Sequence, residues 1–192
     1  MNPHRLAIAG VLLFIAALYV TFRFLGFPAG LFCAAFVGGF VIWVPTLRRQ
    51  PIDPLRILMP HIIAVILFVI HVYEEFRGHI EIFMSKLTGI DVTQANFLTI
   101  AAFIAPVIWL TGLAMAMRRW QFGYFLICVF YFGMMFGEPQ HFVFPFIENG
   151  TFHYVAGMYT AALPSMAGWW AFLVAVREMR TLKAEAIRAM PL

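Results

Sequence analysis

Nine unbroken apolar residues, Ile62 to Ile70, run directly into His71-Val72-Tyr73-Glu74-Glu75. With the residues from Leu55 onward, this stretch reaches the ~20 residues that a helix needs to cross a hydrocarbon core. An imidazole and two adjacent carboxylates at such a position are costly, and they mark a function with a partner. At about 100° per residue, Glu74 and Glu75 flank His71 one turn further along, and His79 continues the stripe at i+8. That spacing offers a metal ion a mixed nitrogen and oxygen set, or offers a substrate a proton donor beside a base.

The rest of the chain repeats the apolar pattern. Charged residues are only 11% of 192, apolar residues 63%, and mean hydropathy is +0.88. Soluble domains carry about a quarter charged residues, so the composition predicts an all-α integral membrane bundle and leaves no room for a soluble domain. We expect a single domain over residues 1–192 with about six transmembrane helices. The first covers Leu6 to Leu25, read as a retained span because it lacks a convincing cleavage site. The second covers Pro28 to Pro45 and the third Leu55 to Phe76. A wetter connection from Arg77 to Asp91 has room for a short interfacial helix. The fourth covers Thr93 to Met117. The fifth begins near Phe122 and continues past Gly137 into a segment with two prolines, which predicts a broken or re-entrant end. The sixth covers Val155 to Val176, before a basic tail. Cys33 and Cys128 lie in apolar segments and read as small hydrophobes.

Loop charge orients this layout. Arg5, Arg48, Arg49, Arg56, Arg118, Arg119, Arg177, Arg180, Lys183 and Arg188 fall on one side, and Arg23, Arg77 and Lys86 on the other. The positive-inside bias predicts cytoplasmic termini in the plasma membrane. The same scatter of cations at span ends argues against a nucleic-acid partner. It also brings the polar ends of three remote stretches to one outer face: His71, Glu74 and Glu75; Glu138 and His141; and His153.

The H-x-x-E-E pattern at His71 to Glu75 resembles the HXXEE domain family of small polytopic membrane proteins. The stretches around Glu138, His141 and Asn149 to Tyr154 are also similar to it, so the resemblance covers roughly Pro60 to Trp170. It implies an integral membrane protein with a polar site and supplies no substrate.

Three chemistries fit the cluster. Glu138 and His141 have the E-x-x-H spacing with which helical bundles hold carboxylate-bridged metal centres, although Pro139 is expected to distort that turn. With His71, Glu74, Glu75 and His153 they predict an iron, manganese or zinc site, as two iron ions or one zinc, in which Glu74, Glu75 and Glu138 include the catalytic proton carrier. The second chemistry is a cofactor-free acid–base isomerase or terpene cyclase, with paired carboxylates of separated pKa and aromatic faces to stabilise a cation. The third is a non-enzymatic lipid-binding or transport protein. Partners are membrane lipids and a lipid-like or isoprenoid substrate, with Tyr154, Tyr159 and Asn96 as candidate contacts. Single histidines at span ends commonly serve as interfacial hydrogen-bonders, the reading we apply to His4, His61 and His79. The run Gly157 to Ala162 reads as small residues for close helix packing, and Asn149-Gly150 as a turn.

Overall fold

The structure, a computed structural model, describes residues 27–189 and seven positions of the first apolar run: Ile8, Ala9, Val11, Leu12, Ile15, Ala16 and Tyr19. Most of the expected first span, with His4, Arg5 and Arg23, lies outside the described residues, as does the side chain of Cys33. Every regular element among the described residues is helical: α1 (Phe27–Trp43), α2 (Leu58–Arg77), α3 (Ile80–Thr88), α4 (Gln94–Met117), α5 (Gln121–Phe142), α6 (Phe144–Asn149) and α7 (Ala162–Arg188). Three of them, α2, α4 and α5, are long and apolar enough to cross a membrane. Large apolar side chains along their outer faces, such as Ile66, Phe103 and Val107, stand exposed, which suits a lipid surround better than water.

The ends of the helices follow local chemistry. Asp53 accepts a hydrogen bond from the Leu55 backbone N–H at 3.3 Å in the 3₁₀ turn that leads into α2. Helix α2 stops at Gly78, and His79 then takes a left-handed φ of 58°. His79 therefore leaves the His71 stripe instead of continuing it. The short α3 fills the connection, as its composition predicts, and ends on Gly89 at φ 69°. Thr93 caps α4 by accepting from the Asn96 backbone N–H at 3.2 Å. Pro106 and Pro139 lie inside α4 and α5. Each lacks the N–H that an α-helix would bond to the carbonyl four residues back. The turn before each widens to a π-helix, over Thr99–Ile104 and Gly133–Gly137, and after the second the chain tightens to 3₁₀ over Glu138–Phe142.

Helix α5 is the centre of the packing. Its span is 61% buried, against 39% for α2 and 33% for α4. Tyr124, Phe125, Phe130 and Tyr131 of α5 form the core with Trp43 and Trp109. Glycines bring the helices close: a side chain at Gly39 would lie 2.5 Å from the Val129 Cα, and one at Gly112 would lie 2.8 Å from the Leu126 Cβ. His61, expected at the interface, is instead fully buried against the rings of Phe130 and Tyr131, and among the described residues neither of its nitrogens meets a partner in good hydrogen-bond geometry.

Helices α2 and α7 run antiparallel. Thr160, just before α7, meets Glu74 at one end, and Glu178 pairs with Arg56 at the other at 3.6 Å. At that second end Arg119 and Tyr124 both donate to the Ile52 carbonyl at 2.8 Å. Arg56 and Arg119 thus share one end of the bundle, and the His/Glu residues occupy the opposite one. The expected sixth span from Val155 is corrected here. Residues 150–161 form a strap over the end of α2, and the helix begins only at Ala162. Two of the strap's backbone donors, the N–H groups of Tyr159 and Thr160, go to the Glu74 carboxylate.

Candidate metal centre

Three side chains, His71, Glu75 and His141, converge, and Glu138 joins them through His71. His71 and Glu75 sit at i, i+4 on one face of α2. Glu138 and His141 sit at i, i+3 in the 3₁₀ segment of α5, where three residues per turn superimpose them. Pro139 does not spoil this pair. It lies in the first turn of the 3₁₀ segment, where its missing N–H is not needed. His71 is 0% exposed, and Glu75, Glu138 and His141 are no more than 9% exposed.

The tautomers are set from behind. The Glu74 carboxylate accepts from Tyr154 Oη at 2.8 Å, from the backbone N–H groups of Tyr159 at 3.1 Å and Thr160 at 2.8 Å, and from Thr160 Oγ1 at 2.6 Å. The single hydroxyl proton of Thr160 is therefore committed to Glu74. Thr160 Oγ1 must accept from His71 Nδ1–H, 3.0 Å away. His141 Nδ1–H likewise donates to the Ala156 carbonyl at 2.9 Å. In their neutral form both imidazoles therefore turn an Nε2 lone pair inward.

These inward atoms meet only acceptors. His71 Nε2 lies 3.3 Å from His141 Nε2, 2.8 Å from Glu138 Oε2 and 3.7 Å from Glu75 Oε1, and His141 Nε2 lies 3.2 Å from Glu75 Oε1. Ligands held at ~2.0–2.1 Å around one ion are roughly 2.9–3.4 Å apart at octahedral or tetrahedral angles. The observed separations bracket that range. The inward atoms of His71, His141 and Glu75 all lie within 4.8 Å of one another, close enough for one divalent cation or a shared proton to reconcile them, while Glu138 stands outside that group and approaches His71 alone. A dication would also offset both buried negative charges.

Gly157 makes the convergence feasible. It has φ 96°, and a Cβ there would lie 2.5 Å from His141 Cε1 and 2.8 Å from His71 Cε1. The strap backbone lies flat against both rings at a conformation that favours glycine. A cavity of about 250 Å³ adjoins the centre. Glu75, Glu138 and His141 reach it, and its remaining wall, predominantly apolar, includes Phe68, Phe83, Trp109, Phe132 and Phe144.

The other expected site residues lie elsewhere. Glu74 is committed to the strap and orients His71 through Thr160 instead of joining the inward set. His153 faces away, with Nδ1 on the Thr151 carbonyl at 3.0 Å and Nε2 on Glu148 at 2.9 Å. Tyr154 and Tyr159 stack on each other at 4.7 Å on the Glu74 side and do not line the cavity. Burial and the bond to Glu74 push the Tyr154 pKa up to about 12, so it remains a donor at neutral pH. Asn96 is exposed in the first turn of α4 and is also absent from the cavity wall. Thr160, Gly157 and the Ala156 carbonyl are the residues that sequence reasoning missed. A glycine two residues before a Tyr-Thr pair, facing two carboxylates, was the only available signal.

No protein-family model, curated protein or solved structure matches the chain. The HXXEE resemblance rests on the residues quoted for it.

Two predictions arise here. Thr160→Val removes the acceptor of His71 Nδ1–H and should weaken metal binding about 10–100-fold, with Thr160→Ser restoring it. Chelator competition on purified protein reads the difference, and equal affinity of the valine variant would refute the orienting role. The second concerns His153. The Glu148 carboxylate holds the His153 imidazole above its ordinary pKa, and the same bond holds Glu148 below the usual carboxylate range. The pair's contribution is fully present between the two values. It is lost as pH rises through the raised histidine pKa or falls through the lowered glutamate pKa. Being exposed, it is small. His153→Gln should leave metal content and neutral-pH melting unchanged, and metal loss would return His153 to the ligand set.

Proposed function

We propose that the protein is a membrane-embedded, metal-dependent enzyme in which His71, His141 and Glu75 hold one divalent ion, iron, manganese or zinc, beside an apolar chamber, with Glu138 next to His71 as the nearby carboxylate. The observation that supports this reading is the group of three inward atoms, from His71, His141 and Glu75, within 4.8 Å of one another, with each imidazole oriented through its Nδ1. The sequence-level alternative of two ions is less economical, because Glu74 and His153 are engaged elsewhere.

In this reading the chain belongs with the HXXEE proteins and forms about six spans in the plasma membrane. Both termini are cytoplasmic, and the centre lies toward the outer face. An ion bound there acts as a Lewis acid on a substrate oxygen or lowers the pKa of a bound water. The protein's own groups do the rest. His71 and His141 remain neutral donors of Nε2 lone pairs, held by Thr160 and Ala156. Glu75 and Glu138, at the cavity wall, accept or return the proton that the reaction moves. Phe68, Phe132 and Phe144 exclude water and bind the apolar body of a lipid-like or isoprenoid molecule. A dication with two carboxylates is neutral overall, which favours an uncharged substrate.

One observation favours a second reading. The 2.8 Å approach of Glu138 Oε2 to His71 Nε2 is also the geometry of a shared proton. A cofactor-free isomerase or cyclase would use that proton on an alkene in the same chamber.

Elemental analysis of detergent-purified protein separates the two. About one equivalent of a transition metal, removed by chelator with loss of thermal stability, is the expected result. Metal-free protein whose melting is indifferent both to chelator and to added iron, manganese or zinc would overturn the metal reading in favour of proton transfer.

A further inference from the structure

We propose that the opposite, basic end of the bundle carries a binding site for the phosphate of an anionic phospholipid, formed by Arg49, Arg180 and Lys183. This site is independent of the metal centre.

The turn after α1 and one stripe of α7 line an open concavity of about 390 Å³, along which Arg49, Arg180 and Lys183 stand exposed. Along α7, Val176, Met179, Arg180 and Lys183 fall on one face at helical spacing, and Arg49 faces them from the turn. Among the described residues, no carboxylate pairs with any of the three cations. Of the acids at this end, Glu178 pairs with Arg56 at 3.6 Å and Asp53 with Arg119 at 3.8 Å, and Glu185, further along α7, forms no ion pair with the three cations among the described residues. Three like charges around one concavity repel one another, and an anion between them relieves the repulsion.

The chemistry of the walls selects the anion. Val176 and Met179 give the cavity an apolar side continuous with the helix face that runs toward the bundle's middle, while the cations stand one turn beyond. Arg56 and Arg119 mark the same level as the polar end of helices long enough to cross a membrane. A phosphodiester with an acyl chain attached satisfies both halves of the site, whereas inorganic phosphate satisfies only the cations. Basic pockets of this kind at the ends of membrane helices take anionic headgroups.

The test uses the full chain in nanodiscs of phosphatidylcholine with and without phosphatidylglycerol, followed by native mass spectrometry of the lipids retained. Wild-type protein should keep phosphatidylglycerol in preference to phosphatidylcholine. Retention should fall about fivefold for each cation removed in the series Arg49→Gln, Arg180→Gln and Lys183→Gln. A charge-matched control, Arg118→Gln with Arg177→Gln and Arg188→Gln, should keep the lipid. Equal loss in that control would reduce the effect to general surface charge and overturn the site. Equal retention of the two lipids by wild-type protein would also overturn it, as would displacement of phosphatidylglycerol by millimolar inorganic phosphate. Circular dichroism of each variant confirms that lipid loss does not come from unfolding.

Discussion

His71→Ala is expected to lower metal affinity by more than about a hundredfold, beyond the 10–100-fold typical of losing an outer-shell partner. The histidine supplies one of the three inward atoms that lie within reach of one ion, and its ring is the one that approaches both Glu138 and Glu75, at 2.8 Å and 3.7 Å. Its removal leaves Glu75 and Glu138 facing each other across a void with a single imidazole between them. The truncation also opens a cavity, so a stability loss of about 2–4 kcal/mol accompanies it whether or not metal binds. His61→Ala is the internal control. His61 is an equally buried histidine on the same helix, far from the inward group of His71, Glu75 and His141. It should lose comparable stability and keep its metal. If both variants keep metal, or both lose it, the ligand role of His71 falls.

Gly157→Ala is expected to damage the centre nearly as much without touching a ligand. The new methyl would lie 2.5 Å from one imidazole carbon and 2.8 Å from another, so both rings must move. Backbone strain at φ 96° adds to the clash. Overpacking costs about 1–3 kcal/mol, and a left-handed alanine about 1–2 kcal/mol more. Gly150→Ala separates the two contributions. Gly150 has φ 75° with nothing within 4 Å of the added carbon, so it meets only the strain. Metal affinity should fall at least about tenfold in the Gly157 variant and stay unchanged in the Gly150 variant. Chelator competition together with thermal melting reads both, and unchanged affinity in Gly157→Ala would mean that the strap does not set the rings.

Periodicity and cost made part of this site legible in the chain itself. His71 and Glu75 are fixed by helical spacing, and buried charge in an apolar run is expensive enough to signal itself. The E-x-x-H pair was visible as well, but its geometry was not. An α-helical reading made Pro139 a defect, whereas the π and 3₁₀ turns around it are what superimpose Glu138 and His141. Glu74 and Glu75 looked equivalent, since two adjacent carboxylates flank a histidine equally well on paper. Only the strap distinguishes them, by giving Glu74 four donors and leaving Glu75 to the interior. The strap itself was read as the start of a span because Val155 to Ala162 is apolar and small. Its backbone hydrogen bonds to a carboxylate on another helix leave no periodic trace. His153 was misplaced for the same reason, as sharing an outer face does not make side chains share a centre.

The change of pitch in α5 has one more consequence. Between Phe132 and His141 the helix winds first loosely and then tightly, and the two departures place Glu138 and His141 toward α2. A relative with one residue fewer in Gly133–Gly137 could cross a bilayer just as well. Its acid and imidazole would be turned by about a quarter of a revolution, toward lipid or toward α7. The number of residues between Phe132 and Glu138 is thus a gauge for sorting chains that merely carry these letters from chains able to assemble them.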